Sequence, residues 1–333
     1  MKIKQMCMLV LLWLGVIPAM QAQTFDKLWK EVEQAEKKSL PQTVIKLTGE
    51  IYQKGEMEKN SPQMLKAYMW RMKYRDMLTP DSLYTSLQEL EQWAKQADKP
   101  MDRAILHSLI AGMYADYAAN NQWQLRQRTE IAGEAPSADM REWTANMFVE
   151  KVRTNVKEAM ADSVLLLNTS SRTYIPFVEL GETSEYYHHD MYHLLASRSI
   201  EALQRIQGLD RTTPIEAYSE ETSSEKESLV KQDIERIYDQ MLTSYKAKGD
   251  KEGCLLTSLN YLNWKHGTSK SFREPFRVKK GGTYMTFDPY ETGLDALKTE
   301  YKSLDLCAEV YLAQANNAIG KEQETVALQL CDE

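Results

Sequence analysis

Apolar residues recur every three or four positions along most of the chain, which is the spacing of one face of an α-helix. In the first such segment Phe25, Leu28, Trp29 and Val32 fall at i, i+3, i+4 and i+7, and Thr24 precedes them as a capping residue. Later segments start with a polar cap or a first-turn proline, at Pro41, Asn60-Ser61-Pro62, Thr79-Pro80-Asp81, Lys99-Pro100 and Ser137-Ala138-Asp139.

The helix starts near residues 24, 62, 100 and 138 recur at an interval of about 38 residues, within the range of repeated helix pairs. A single helix pair cannot bury its apolar face alone, whereas stacked pairs share one continuous core. The pattern therefore predicts an all-α fold built as a tetratricopeptide-like, α-solenoid-like array of helix pairs. The full Trp, Leu-Gly and Tyr signature of that repeat is missing.

The helical period fails between Asp162 and Glu185, where Leu165-Leu166-Leu167 is a short apolar run and Pro176 disfavours helix at the residue before it. A helix carrying three histidines follows and ends near Gln207-Gly208, with Gly208 as its C-cap. Polar residues then fill 209–228, which we interpret as a linker. The predicted domains are a helical-repeat domain over 24–208 and a second helical segment over 229–333.

The second segment opens with a helix over Leu229–Lys248, a turn over 249–253 and a helix from Cys254 to Trp264. Residues 272–290 predict a small β-hairpin or extended insertion around Gly281-Gly282, and they hold the main basic cluster, which either is solvated or docks on an acidic partner. Two helices separated near Gly320 complete the chain. The last keeps its apolar period to the final residues without a stop signal, so we expect this segment to be incomplete at its C-terminus.

The N-terminus has the pattern of a secretory signal peptide over residues 1–22. Lys2 and Lys4 precede an apolar core from Met8 to Ile17, and a small-residue cleavage region ends at Ala22. Cys7 lies before the apolar core, so no lipobox is present, and we expect a periplasmic or secreted protein without membrane insertion after cleavage. The net charge of -7 argues against nucleic-acid binding, which needs a concentrated basic surface.

Three cysteines remain after cleavage, Cys254, Cys307 and Cys331. Their odd number and the lack of CxxC spacing fit neither a disulfide framework nor a zinc ribbon. Each lies in an apolar helical context, so buried free thiols are expected. Whether two of these cysteines oxidise to a disulfide stays an open question, and the sequence does not say which two.

The segment His189-Asp190-Met191-Tyr192-His193 has the form of the H-E-x-x-H zinc-peptidase helix with Asp in place of Glu. Histidines at i and i+4 would share one helix face and one zinc ion. Asp is one methylene shorter than Glu, no downstream third ligand is indicated, and the flanking aromatic and aliphatic residues suit a packed helix. We therefore expect structural histidines, with no catalytic residue, metal ligand or cofactor.

Four phrases resemble the N-terminal region of large bacterial alpha-2-macroglobulin family proteins. They are Phe25-Asp26-Lys27-Leu28-Trp29-Lys30-Glu31-Val32-Glu33, Pro62-Gln63-Met64-Leu65-Lys66-Ala67-Tyr68, Asn121-Gln122-Trp123-Gln124-Leu125-Arg126-Gln127-Arg128-Thr129 and the stretch from Tyr186 to Arg198. The resemblance covers essentially the whole chain after residue 22. Members of that family are protease traps with a bait region and, in many cases, a thioester. The sequence contains no Cys-x-Glu-Gln thioester motif, and neither a bait region nor a series of β-sandwich domains is indicated.

The resemblance implies a helical leader or scaffold region of such a protease inhibitor, here part of a longer chain. The first functional hypothesis is accordingly a non-catalytic protein-interaction module whose partners are the remaining domains or another envelope protein. An independent tetratricopeptide-like protein that binds peptide or glycan is the first alternative. A zinc-dependent hydrolase that uses the HDxxH segment is the second.

Overall fold

The computed structural model describes residues 24–79, 82–128, 137, 139–210, 228–269, 272, 275–280 and 283–332. Within them it contains 14 α-helices and one two-stranded sheet, so the all-α fold with a small β insertion is confirmed. The predicted signal peptide over 1–22 and residues 211–227 of the predicted linker lie outside the described residues. No helix in the described part of the chain is long and apolar enough to cross a membrane.

The chain divides into two compact units, Met1–Leu83 and Tyr84–Glu333. The described part of the first unit is built from α1 (Phe25–Lys37), α2 (Pro41–Met57) and α3 (Ser61–Leu78). Helix α2 packs against both α1 and α3. Their shared core is formed by Leu28, Val32, Ala35, Val44, Ile51, Ala67 and Tyr74.

The helix starts of the first unit follow the local sequence. Thr24 accepts a hydrogen bond from the backbone N–H of Lys27, and Asn60 does the same for Gln63, as N-caps do. At both helix-to-helix turns one residue, Ser39 or Lys59, adopts left-handed backbone with φ of 54° or 55°. The next backbone N–H then bonds back to a carbonyl five residues earlier, which ends each helix sharply and makes the neighbouring helices antiparallel.

The second unit holds the remaining elements. Helix α4 (Ser82–Gln96) begins at the division between the units. The other helices are α5 (Pro100–Asn120), α6 (Gln122–Gln127), α7 (Ala145–Ala159), α8 (Ser163–Leu167), α9 (Met191–Ile206), α10 (Leu229–Lys248), α11 (Lys251–Thr268), α12 (Pro289–Glu300), α13 (Ala308–Gly320) and α14 (Glu324–Asp332). Short 3₁₀ turns lie at Met140–Glu142, Ser171–Tyr174, Glu182–Glu185, Gln207–Leu209 and Asp305–Cys307.

Packing in the second unit proceeds largely from one helix to the next. Helix α5 contacts α7 and α9, and from α9 to α12 each helix contacts its successor, as α12 does α13 and α13 does α14. Helices α9 and α10 stand on either side of the predicted linker and contact each other directly. The domain boundary at 209–228 and the tetratricopeptide-like arrangement of helix pairs both stay predictions.

The hairpin consists of antiparallel strands β1 (Phe276–Lys280) and β2 (Thr283–Phe287). Phe276 lies opposite Phe287 with ring centroids 5.2 Å apart, and Lys279 lies opposite Tyr284. The exposed apolar side chains Phe276, Val278 and Phe287 share one face of the ribbon, because alternate residues of a strand point the same way. The predicted tip, Gly281-Gly282, lies outside the described residues.

Several predicted boundaries are wrong. Asp139 caps only one 3₁₀ turn, and the helix expected from 137–139 begins at Ala145. The irregular segment contains a short helix, α8, because Asp162 caps the apolar run with its side chain. Gly208 lies inside a 3₁₀ turn after Ile206 and is no C-cap. The final stretch also includes most of α12, although the predicted separation at Gly320 is confirmed.

Candidate functional site

Asp190 determines where the histidine-bearing segment becomes helical. Its carboxylate accepts a hydrogen bond of 2.9 Å from the backbone N–H of His193, so Asp190 is the N-cap of α9. The helix therefore begins at Met191, and His188 and His189 lie before it. The expectation that the histidines at 189 and 193 share one helix face is wrong for this reason.

His193 is fully buried in the first turn of α9. Its Nδ1 lies 2.9 Å from both carboxylate oxygens of Asp190, and its ring stacks on Tyr245 of α10 with centroids 3.7 Å apart. Its Nε2 has no hydrogen-bond partner among the described residues. A carboxylate that orients an imidazole in this way is also found in hydrolytic enzymes, where Nε2 faces a substrate or nucleophile. Here the imidazole is enclosed by packing.

Lys248, at the last residue of α10, completes what we call the Asp190 network: Asp190, His193, Tyr245 and Lys248. Its Nζ donates to Asp190 at 2.6 Å. Burial raises the pKa of Asp190, but the hydrogen bonds from His193 and Lys248 outweigh it and lower that pKa to about 2. Asp190 is therefore an anion that is paired with the buried His193 and with the partly exposed Lys248.

The segment before α9 is held in place by its backbone. The backbone N–H of Ser171 donates to the carbonyl of His189, and the backbone N–H of Met191 donates to that of Thr169. His188 has left-handed backbone with φ of 59°, and its Nε2 lies 2.6 Å from the hydroxyl of Ser197. Burial and the neighbouring His193 lower the pKa of the His188 imidazole to about 4, so this ring is neutral at pH 7.

His189 takes no part in the Asp190 network, and its side chain is exposed. Among the described residues no group of three or more His, Cys, Asp or Glu side chains is arranged to hold a metal ion. An exposed His189 and a fully buried His193 do not form the pair of ligands that the HDxxH spacing predicts.

The three cysteines are free, with Cys254 and Cys307 buried as expected and Cys331 exposed, contrary to expectation. Burial raises the pKa of both the Cys254 and the Cys307 thiol, which keeps them protonated and weakly nucleophilic at pH 7.

Two open grooves border α9 and α10. The larger, which we call the α7–α10 groove, has a volume of about 1000 Å³ and is lined by apolar and charged side chains including Val156, Met160, Tyr192, Arg236, Asp239 and Lys248. The second, which we call the amide cleft, has a volume of about 600 Å³. Its lining includes Gln204, Gln207, Tyr238, Asn260, Asn263 and Trp264.

Sequence reasoning missed Tyr245 and Lys248, because both lie more than 50 residues after His193 and no local pattern connects them. It also missed the amide cleft. A local signal did exist there, since Gln204 with Gln207 and Asn260 with Asn263 are spaced i, i+3 and therefore share a helix face.

The fold and the site together define an all-α protein with a small β-hairpin, a buried Asp190–His193 pair and two open grooves beside α9 and α10. No protein-family model matches the chain, and comparisons with curated proteins and with solved structures find no match.

Proposed function

We propose that the chain is a non-catalytic helical module that acts through contacts with protein segments. The observation that carries this proposal is the contrast between the Asp190 network and the grooves beside it. Asp190 and His193, the side chains with the greatest catalytic potential, are buried and bonded to each other, whereas the α7–α10 groove and the amide cleft are open to solvent. Concave surfaces between helices are common sites for peptide segments.

The quoted phrases between Phe25 and Arg198 support a place for this module in a protease-inhibitor protein similar to the alpha-2-macroglobulin family. The module would then position the trap or dock another envelope protein, and trapping itself would lie elsewhere. An independent exported protein of tetratricopeptide-like type, which binds peptide or glycan, is the second candidate and would use the same grooves.

Selection from a displayed library of random peptides, each about ten residues long, tests the protein-binding function. The full chain after residue 22 is immobilised, and heat-denatured chain serves as the control. We expect related peptides to be enriched on the folded chain alone, with dissociation constants in the micromolar range typical of modest interfaces. A selection that enriches the same peptides on both samples would contradict the proposal.

Metal analysis and casein digestion address the hydrolase alternative with the variant His189→Ala. His189 is exposed, so its replacement leaves the core intact. We expect neither stoichiometric zinc nor proteolysis in either protein. Zinc that is bound by the natural chain and lost from His189→Ala would favour the hydrolase.

Reading the coding DNA beyond Glu333 tests the placement in a larger inhibitor. In-frame sequence for β-rich domains supports it, and a stop codon followed by an unrelated gene removes that support. The chain alone should not inhibit a protease such as trypsin, and clear inhibition would show that the trapping function has been misplaced.

A further inference from the structure

The amide cleft is lined by four carboxamide side chains. Gln204 in α9 and Gln207 just after it lie three residues apart, as do Asn260 and Asn263 in α11. Residues at this spacing are neighbours on a helix face, with about 5–6 Å between their Cβ atoms. The cleft therefore presents two rows of paired amides.

Two of the four amides accept a hydrogen bond from an aromatic side chain. The indole N–H of Trp264 donates to Gln207 Oε1 at 2.9 Å, and the Tyr290 hydroxyl donates to Asn263 Oδ1 at 2.7 Å. Asn260 lies near the Tyr187 hydroxyl, and Gln204 lies near the Tyr238 hydroxyl. These contacts orient the amides and reduce the rotamer freedom that a ligand would otherwise have to remove.

A carboxamide group offers two N–H donors and an oxygen that accepts two hydrogen bonds. One aromatic contact leaves donors and an acceptor for a ligand. A peptide main chain carries one N–H and one C=O per residue, and in an extended segment every second residue points the same way, about 6.7 Å further along. The spacing of the paired amides is close to that repeat.

The chemistry of the cleft distinguishes among ligand classes. Glu201 is the one charged side chain among the described residues that line it, so an anionic ligand meets no complementary charge there and a cationic ligand meets a single carboxylate. A saccharide platform needs an exposed aromatic face. Tyr238 and Trp264 are only 4% and 9% exposed, and both stack on Tyr261. The amides are thus the main groups that a ligand can reach.

We propose that the amide cleft binds the main chain of an extended peptide segment, with the carboxamides of Gln204, Gln207, Asn260 and Asn263 pairing with its N–H and C=O groups. This inference rests on the proposed protein-binding function and names the surface and the part of the partner that are recognised. In other modes of peptide binding that use backbone hydrogen bonds, those bonds supply affinity and the alternating side chains set which sequences are preferred.

An ester scan of one peptide selected from the displayed library tests the proposal without altering the protein. Each amide bond in turn is replaced by an ester, which removes one N–H donor and leaves the side chains unchanged. We expect alternate positions to lose about tenfold in affinity and the positions between them to lose little, because only every second residue faces the cleft. Losses without this alternation, or no losses, would overturn the proposal.

Protein variants locate the binding site. Asn260→Leu removes an exposed amide of the cleft and should weaken binding of the same peptide about tenfold. The matched control, Gln240→Leu, removes an amide that lines the α7–α10 groove and should leave affinity unchanged. Raising NaCl from about 50 to about 500 mM should change affinity less than twofold, since the cleft is almost uncharged.

The outcomes separate this inference from the proposed function. If Gln240→Leu abolishes binding and Asn260→Leu does not, the cleft is the wrong surface while protein binding stands. If no peptide is enriched on the folded chain, both fail. If a glycan array shows binding that Asn260→Leu removes, the cleft takes saccharides and the main-chain proposal is overturned. Circular dichroism melting checks that the variants fold, and the ester scan stays decisive if one does not.

Discussion

Two aromatic clusters of the molecule contact charged side chains in different ways. In the first unit the rings lie at the edge of the core with cations above them. Lys66 Nζ is 4.9 Å from the centroid of Trp29, and Lys73 Nζ is 5.3 Å from that of Trp70. In the second unit the rings of His193 and Tyr245 are buried, and the charges of Asp190 and Lys248 lie beside them.

The two clusters differ in whether water can hydrate the groups that are left when one partner is removed. An exposed cation above a ring loses little when it is removed, because solvent hydrates both groups. Water does not hydrate a buried carboxylate in the same way. Removing one of its partners therefore leaves a buried polar group without a hydrogen bond. We therefore expect substitutions in the Asp190 network to cost several times more than comparable ones around Trp29 and Trp70.

Asp190→Ala should have the largest effect, lowering the free energy of unfolding by about 3 kcal/mol because it removes a helix cap and leaves the buried Nδ1 of His193 without its partner. Urea denaturation followed by circular dichroism measures it. Glu36→Ala, which removes the acceptor of the Tyr74 hydroxyl in the first unit, should cost well under half as much. Equal losses would erase the contrast between the clusters.

Two identical glycine substitutions should have opposite signs. A Cβ added at Gly253 would lie 2.4 Å from the ring of Tyr245, so Gly253→Ala should destabilise by about 2 kcal/mol. A Cβ at Gly49, within α2, would meet nothing within 4 Å, and Gly49→Ala should stabilise by about 0.5–1 kcal/mol. Thermal unfolding of both variants tests the pair, and the same sign in both would contradict this packing.

Stability should fall as the pH drops from about 6.5 to about 4. The half-buried His188 has its pKa lowered from 6.5 to about 4 by burial and by His193, so the unfolded chain takes up a proton in this range while the folded chain does not. The expected contribution is about 2 kcal/mol, somewhat less than the full shift corresponds to because the ring is partly exposed. The free energies of unfolding of wild type and His188→Asn, measured by denaturation across this pH range, should converge at the acidic end. Parallel pH profiles would show that His188 is not the cause of the acid sensitivity. Asn tolerates the left-handed backbone at this position.

Lys73→Met should have the smallest effect, a loss of about 0.5 kcal/mol. The substitution keeps the apolar stem and removes the ammonium group that lies above Trp70 and Tyr74 and 3.3 Å from Glu36. High salt should shrink the difference between variant and wild type, because the side chains are exposed. A loss as large as that expected for Gly253→Ala would show that this cluster resembles the Asp190 network after all.

Helix starts are predictable at four positions where a capping residue or a first-turn proline acts on its immediate neighbours. Thr24, Pro41, Asn60 and Pro100 each begin a helix within one residue of the prediction. Asp190 carries the same kind of signal, but the HDxxH spacing is equally compatible with a general base inside a helix that already contains His189. The sequence therefore predicts a helix that begins before Asp190, whereas α9 begins at Met191.

The candidate site could not be assembled from the sequence. Asp190 and Lys248 are 58 positions apart, and whether His193 points into a core or into solvent depends on where α10 packs. Apolar periodicity locates the buried face of a helix but not the helix that covers it. The amide pairs at 204 and 207 and at 260 and 263 were visible as spacings, yet only the packing around Tyr238 brings them to one cleft.

The pairing of Asp190 with Lys248 also sets an order of events during synthesis. Because 58 residues separate the two side chains, the ribosome makes Lys248 roughly 3 to 12 seconds after Asp190 at about 5–20 residues per second. For that interval the imidazole of His193 and the start of α9 lack the ring and the ammonium that later cover them. The nascent chain therefore carries an unfinished core for seconds, long enough for a chaperone to bind.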